Sequence, residues 1–299
     1  MDVKVLVVMN GDLNMNNMIR KNKTYLITGA TGFLGTELCK RIYPTGCGII
    51  AMSRNEGKLV ELKQQFPDIN IITGDVADKI AVEHALAWGV DGIFHLAAFK
   101  HVGIAEDQAR ECVLSNTVGS LNLLEVTNGR MFDFIIGIST DKAAQIVGVY
   151  GATKMLMERL FQEFEKKNVH TKYRIVRYGN VLYSTGSVLC KWKDAMINEK
   201  DIVVTATSAT RFFWTVEQAI DLIFDCLENA EDATPYVPEM KAMKVGDLLT
   251  AMTMKYGKAK SINIIGLQKG ENLHEKILEN GKYSNEVDLY GINEIMTMI

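Results

Sequence analysis

Short apolar runs alternate with amphipathic stretches from Thr24 to about Gly179, and this alternation predicts the fold. The apolar runs cover residues 24–28, 48–52, 69–73, 92–97, 132–139 and 173–177. Several of them are apolar throughout, which is typical of strands buried on both faces of a parallel sheet. The stretches between them carry apolar residues at helical spacing. This order predicts an α/β fold with a doubly wound parallel sheet, in which ligands bind at the carboxyl ends of the strands.

The regular alternation of strands and helices ends after Gly179. Beyond it, helices are predicted over 189–199, 215–229 and 245–257, with small polar residues over 205–211. We expect a smaller carboxyl-terminal, substrate-binding part over 180–299 that interleaves with a cofactor-binding part over 24–179. Residues 1–23 are predicted to be an extension. Its apolar stretch, Val5 to Met9, is interpreted as a disposable leader and not as a signal peptide or anchor. The tail after Glu279 receives no assignment.

Composition narrows the class of protein. The chain has 299 residues, of which 47% are hydrophobic, enough for one large or two unequal domains. A net charge of -3 disfavours a general nucleic-acid surface. The five cysteines are scattered without a CxxC pair and the five histidines lack ligand spacing, so we expect free thiols in a reducing cytoplasm and no metal. No apolar run approaches the length of a membrane span, and no membrane partner is expected.

A glycine-rich turn follows the first predicted strand. The sequence ITGATGFLG leads from that strand into a helix, the context in which such glycines hold a dinucleotide in a Rossmann-like fold. Amides at the start of the helix, aided by its dipole, are able to hold the phosphates. The predicted cofactor-binding residues of this turn are Gly29, Thr31, Gly32, Phe33, Leu34 and Gly35.

The residues at the end of the second predicted strand indicate whether the cofactor is NAD or NADP. An acid that binds the ribose is expected there for NAD, but the sequence AMSRNEGK offers Ser53 and Arg54. A guanidinium fork is able to pair with a 2′-phosphate, so NADP is the predicted cofactor. The alternative is that Arg54 is an ordinary loop arginine.

The spacing GxxGxxG resembles the short-chain dehydrogenase/reductase superfamily, in its extended, sugar-nucleotide branch. This resemblance implies that Asp75 and Val76, after the third strand, touch the adenine. It also implies that Asn116 and the loop HLAAFKH (95–101) line the path of the cofactor. The residues expected to contribute from that loop are Ala97, Ala98 and Lys100.

Tyr150 and Lys154 are four residues apart, and on a helix they share one face. A lysine ammonium close to a phenol, beside an oxidised nicotinamide, favours the phenolate and lowers the pKa of the tyrosine. Such a base beside a sugar hydroxyl is what hydride transfer from carbon 4 to NADP needs. The superfamily resemblance implies these catalytic roles for both residues, which are also expected to contact the cofactor.

Thr140, Asp141 and Lys142 end the fifth predicted strand, just before Tyr150. Once carbon 4 of a sugar is a ketone, loss of the carbon 5 proton and of the 6-hydroxyl needs a base and an acid. We predict that Lys142, desolvated or crowded by a cationic nicotinamide, is neutral and is the base, and that Asp141, with a raised pKa, is the acid. The alternative is a solvated pair of opposite charges on the surface.

The combination of motifs resembles the UDP-N-acetylglucosamine 4,6-dehydratases of polysaccharide and flagellin-glycan biosynthesis. The motifs are FKHVGIAE (99–106), STDKA with YGATK, RYGNV (177–181), GSV (186–188), TRF (210–212) and KGENLHE (269–275). The resemblance extends from Thr24 to about Glu279 and implies a homo-oligomer that acts on UDP-N-acetylglucosamine with inversion at carbon 5. The substrate contacts that it implies are Lys100, Asn180, Ser187, Arg211 and Glu271.

The last motif departs from the family pattern. Gln268 and Lys269 stand where Arg-Pro is usual, and Asn272 replaces a lysine, which puts one diphosphate contact in doubt. Two other functions stay open. A UDP-sugar 4-epimerase shares the glycine turn, Tyr150 and Lys154 but returns the hydride to carbon 4, and a non-catalytic NADP-binding regulator needs neither residue.

Overall fold

The computed structural model describes Met15 and residues 18–299. Strands β1–β6 are Thr24–Thr28, Gly48–Ser53, Asn70–Thr73, Gly92–His95, Phe134–Thr140 and Lys172–Tyr178. Strands β7–β11 are Asn180–Val181, Asp201–Val204, Thr210–Trp214, Ala242–Lys244 and Ser261–Ile264. Helices α1–α6 are Phe33–Ile42, Glu56–Gln65, Lys79–Leu86, Val102–Asp107, Ala109–Val113 and Gly119–Thr127. Helices α7–α11 are Val149–Lys167, Val188–Ile197, Val216–Asn229, Val245–Tyr256 and Ile292–Met298.

The first six strands form one parallel sheet in the order β3-β2-β1-β4-β5-β6. The predicted doubly wound α/β fold is confirmed. The order of the strands reverses between β1 and β4, and a crevice opens at their carboxyl ends in sheets of this kind. The predicted strand ends are close to the observed ones, although β4 stops at His95, before Leu96 and Ala97 of the predicted run.

Two apolar clusters cover the two faces of the sheet. One is built from α1, α2 and α9, the other from α3, α6 and α7. Helix α9, which follows residue 179, packs on this face of the sheet beside α1 and α2. Met15 and Ile19, both within the predicted extension, are buried in the same cluster. The predicted leader stretch Val5 to Met9 lies outside the described residues.

The carboxyl-terminal part has its own apolar cluster and two small sheets, β10-β9-β7 and β11-β8. The predicted run of small polar residues over 205–211 ends inside β9. All residues of this strand except Arg211 are buried, between β10 on one side and β7 on the other. The unassigned tail contributes α11, whose Ile295 is completely buried in this cluster. Within the described part of the chain, the helices lack the combined length and apolar character that a bilayer crossing needs.

Candidate active site

The glycine turn after β1 has a backbone that only glycine accommodates. Gly29 has a φ of +69°, and a Cβ there would lie 2.7 Å from the Ala97 amide nitrogen. A Cβ on Gly35 would lie 2.4 Å from the Gly29 carbonyl oxygen. Gly32 is exposed and precedes α1, which begins with Phe33 and Leu34. The turn is therefore a cradle that side chains would fill, and it fits the pyrophosphate of a dinucleotide at the amino end of α1.

The predicted ribose and adenine contacts gather beside this cradle, at the ends of β1, β2 and β3. The Thr31 and Ser53 hydroxyls are 2.6 Å apart. The Arg54 guanidinium, which is well exposed, lies 3.6 Å from the Asp75 carboxylate. Val76 is buried against Gly119, where a Cβ would clash with its side chain. The structure thus brings these sequence-predicted residues to one edge.

Asn116 holds the loop that follows β4. It is completely buried in a π-helical turn, Leu114–Val118. Its amide oxygen accepts from the Phe99 amide at 2.7 Å, and its amide nitrogen donates to the Phe99 carbonyl and the Thr153 hydroxyl, both at 3.0 Å. Asn116 therefore fixes the loop that carries Ala97, Ala98 and Lys100 against α7. Insertions of this π-helical kind are frequent at functional sites.

Helix α7 starts in contact with the turn that follows β5. A Cβ on Gly151 would lie 2.3 Å from the Lys142 carbonyl oxygen, so a glycine lets the helix approach this closely. At the other side, the Glu106 carboxylate accepts from the Val149 amide at 2.7 Å and caps the first turn. These two contacts at the start of α7 place Tyr150 beside Thr140, Asp141 and Lys142.

Lys154 is buried and Tyr150 is half-buried. Burial raises the pKa of Tyr150 to about 12, against the lowering effect of the Lys142 charge and the Thr140 hydroxyl. Burial lowers the pKa of Lys154 to about 8, although the Glu158 charge opposes this. The Lys154 ammonium lies 3.5 Å from the Met157 sulfur. In the protein alone, burial therefore outweighs the charges that lower the pKa of Tyr150, the largest of which is that of Lys142. The lowering predicted for Tyr150 beside Lys154 and an oxidised nicotinamide stays a prediction.

Asp141 and Lys142 form a buried ion pair. The Lys142 ammonium lies 2.9 and 3.1 Å from the two Asp141 carboxylate oxygens, and the Thr140 hydroxyl donates to the same carboxylate at 2.9 Å. Asp141 is completely buried, which excludes the alternative of a solvated surface pair. Burial raises the pKa of Asp141, and the Glu275 charge raises it further, against Lys142 and Thr140. The structure therefore indicates a raised pKa for Asp141, the direction predicted from the sequence.

Two buried carboxylates influence the charge of Lys142. Burial alone would lower the pKa of Lys142, but the carboxylates of Asp141 and Glu275 outweigh burial and raise it. These carboxylates thus favour the charged form of Lys142 in the protein alone. The prediction of a neutral Lys142 also depends on a cationic nicotinamide beside it, and it stays a prediction. Sequence reasoning missed Glu275 as a site residue. It is nearly completely buried, and its carboxylate lies 3.5 Å from the Lys142 ammonium and 3.7 Å from the Arg211 guanidinium.

The predicted substrate contacts lie on the carboxyl-terminal side of this cluster. Arg211, on β9, also donates to the Leu273 carbonyl at 2.9 Å. Asn180 lies on β7, directly beside β9. The Lys100 ammonium donates to the Thr185 carbonyl at 3.0 Å, close to Ser187 at the start of α8. Glu271 accepts from the Gln268 amide at 3.1 Å and shapes the segment that leads to Glu275.

A doubly wound sheet with a dinucleotide cradle, and a Tyr-x-x-x-Lys helix after β5, define an enzyme of the short-chain dehydrogenase/reductase type. Residues 25–297 match the family model described as polysaccharide biosynthesis protein. The chain belongs to this family, in the extended branch of the superfamily that contains nucleotide-sugar dehydratases and epimerases.

Three proteins are similar to this chain over most of its length. The inverting UDP-N-acetylglucosamine 4,6-dehydratase of Campylobacter jejuni is 35% identical over 262 residues, with 85% of this chain and 76% of that protein covered. An uncharacterized membrane protein of Methanocaldococcus jannaschii is 33% identical, with 93% and 85% covered. A UDP-glucose 4-epimerase of Rickettsia bellii is 30% identical, with 90% and 81% covered. Both chemistries predicted as alternatives therefore occur among the relatives.

Solved structures share the fold over most of the chain. The X-ray structure of Pen from Bacillus thuringiensis superposes with a TM-score of 0.82 at 28% identity, covering 87% of this chain and 82% of that chain. The dTDP-glucose 4,6-dehydratase DesIV of Streptomyces venezuelae, solved with NAD and TYD bound, superposes with a TM-score of 0.77 at 16% identity, covering 92% and 95%.

Proposed function

We propose that this enzyme catalyses the NADP-dependent 4,6-dehydration of UDP-N-acetylglucosamine, with inversion at carbon 5. The buried Asp141–Lys142 pair beside Tyr150 is the observation that carries the proposal. Oxidation and reduction at carbon 4 need only one base, whereas elimination across carbons 5 and 6 needs a second base and an acid. The relationship to a dehydratase of this specificity supports the same assignment.

The cradle and its neighbours fit a nicotinamide dinucleotide. Gly29, Gly32 and Gly35 would hold its pyrophosphate, and the loop fixed by Asn116 would border its nicotinamide half. When bound, an oxidised nicotinamide nucleotide would supply the hydride acceptor and a positive charge. Within the chain, Tyr150 accepts the proton of the sugar 4-hydroxyl, and Lys154, one turn later, supports the phenolate.

The elimination uses the Asp141–Lys142 pair as both acid and base. The ammonium and carboxylate are 2.9 Å apart, so one proton moved across this contact yields a neutral lysine and a protonated aspartic acid. Neutral Lys142 then takes the carbon 5 proton, and Asp141 gives its proton to the departing 6-hydroxyl, which leaves as water. The net charge of the buried cluster does not change in the first transfer, so this transfer brings no further burial of charge.

Nucleotide recognition is assigned to the carboxyl-terminal side of the site. Arg211 is proposed to contact the diphosphate through its guanidinium, with Lys100, Asn180, Ser187 and Glu271 along the rest of the substrate. Arg54 extends into solvent beyond β2, where Ser53 stands in place of a ribose-binding acid, and this supports the choice of NADP. The division at residue 179, the homo-oligomer and the cytoplasmic location form part of the same proposal.

A UDP-sugar 4-epimerase is the second candidate, favoured by the Rickettsia bellii relative. One experiment separates the two functions: the purified protein is incubated with NADP and UDP-N-acetylglucosamine, and the nucleotide sugar is followed by mass spectrometry and proton NMR. We expect a product lighter by one water, with a new methyl signal and a carbon 5 coupling pattern of the inverted sugar. An unchanged mass with conversion at carbon 4 would establish the epimerase and overturn our proposal.

A further inference from the structure

The buried cluster at the site contains four charged groups from three separate parts of the chain. Asp141 and Lys142 follow β5, Arg211 lies on β9, and Glu275 belongs to the carboxyl-terminal segment. Their charges alternate in space, with Glu275 between the ammonium of Lys142 and the guanidinium of Arg211. Tyr150 on α7 also lies at the cluster: burial raises its pKa most, the Lys142 charge lowers it and the Asp141 charge raises it.

The position of Glu275 is fixed from several sides. Its carboxylate accepts from the Asn272 side-chain amide at 3.2 Å. Its backbone amide donates to the Ser284 hydroxyl at 2.9 Å, and its carbonyl accepts from the Ser284 amide at 2.8 Å. Ser284 is in turn bonded to Thr210, next to Arg211 on β9. These contacts hold the Glu275 carboxylate, with about 1% of the residue's surface exposed, between the Lys142 ammonium and the Arg211 guanidinium.

We propose that Glu275 is a positioning residue for the elimination step, whose carboxylate holds the Lys142 ammonium against Asp141 and sets the pH range in which the pair carries a single proton. The inference rests on the proposed dehydratase function. Its physical basis is the sign of the charge: a negative group within about 4 Å favours the protonated form of both an ammonium and a carboxylate. The pair titrates as a unit, so Glu275 moves both of its macroscopic steps in one direction.

The test compares the pH profiles of dehydration in the wild type and Glu275→Gln. The glutamine keeps the shape and is able to bond Asn272, but it removes the charge. Both limbs of the bell-shaped profile are expected to move to lower pH, by about one pH unit. Glu275→Asp retains the charge and should keep the wild-type position on the pH axis even if its maximum is lower. Glu286→Gln is the matched control, because this carboxylate lies in the same tail and caps the Tyr283 amide.

A structural role alone gives a different result. If Glu275→Gln lowers the rate equally at every pH, or leaves the profile unmoved, the inference is overturned while the dehydratase function stands. Thermal melting of each variant is measured in parallel, and failure of both Gln and Asp variants to fold would also overturn the inference in favour of a purely structural role. A wild type that releases no water from any UDP-sugar refutes the proposed function itself, and the Glu275 inference falls with it.

Discussion

Asp141→Asn separates the elimination from the redox chemistry. The substitution keeps the size of the side chain and its contact with Thr140 but removes the proton that the departing 6-hydroxyl requires. The Lys142 ammonium, which now lies 2.9 Å from a carboxylate, would be left with Glu275 at 3.5 Å as its remaining ion-pair partner. Lys142 loses the carboxylate at 2.9 Å that takes its proton in the proposed mechanism, so we expect the variant to lose the base together with the acid.

The magnitude follows from these two losses. General acid or base catalysis by a positioned group contributes about 10²- to 10⁴-fold. We therefore expect the rate of dehydration to fall by that factor, which corresponds to about 3–5 kcal/mol on the barrier. Tyr150 and Lys154 are unchanged, so oxidation at carbon 4 is expected to persist. The control is Asp194→Asn, which removes a carboxylate from an exposed pair with Lys200 and should leave the rate unchanged.

The assay follows both events in one mixing experiment. Single-turnover absorbance of the reduced nicotinamide reports oxidation at carbon 4, and mass spectrometry of quenched samples reports water loss. In the variant we expect reduced nicotinamide to accumulate while the sugar becomes the 4-ketone, which is lighter by two hydrogens but has lost no water. Our reasoning would be refuted if both signals fell by the same factor, or if water loss continued at the wild-type rate.

Three further predictions address the cofactor site and the core. Gly35→Ala places a Cβ 2.4 Å from the Gly29 carbonyl oxygen and should weaken NADP binding at least tenfold by calorimetry, whereas Gly103→Ala, with no atom within 4 Å of the added Cβ, should bind normally. Arg54→Ala should weaken NADP binding more than NAD binding, measured by titration of both; equal weakening would remove the argument for NADP. His95 is completely buried between Thr28 and Ser120, and burial lowers its pKa to about 3. The unfolded chain therefore binds the extra proton first as pH falls from about 6.5 towards 3, and stability should drop by about 1.4 kcal/mol per pH unit in denaturant titrations, a slope that His95→Gln should lose.

The parts of the site that the sequence predicts are those fixed by local chain geometry. The glycine cradle and the Tyr-x-x-x-Lys helix each depend on a short run of residues whose spacing is set by a turn or a helix. The parallel sheet then brings the ends of β1, β2, β4 and β5 to one edge, which is why Gly29, Arg54 and Asp141 lie where they were expected.

The sequence alone does not predict the charge state of Lys142 or the position of Glu275 beside it. Whether a buried lysine is charged depends on its partners, and the second carboxylate arrives from a segment far along the chain that has no helical or strand periodicity. The sequence also does not predict the boundaries of β9 and α11, because tertiary packing and not local propensity decides them. Strand β9 is set by its pairing with β10, and α11 by its packing in the third apolar cluster.

The segment that carries Glu275 is anchored by hydrogen bonds at its carboxyl-terminal end, at Ile277 and Glu279. Glu279 and the Ile277 carbonyl accept from Arg177, a completely buried guanidinium that also pairs with Glu158 on α7. At the near end, Gly266 and Gly270 both have positive φ angles and lie in an exposed stretch. The end at Arg177 is therefore the firmly held one, and Glu275 lies between it and the exposed glycine end. The contact of Glu275 with Lys142 thus depends on how both ends of this segment are held.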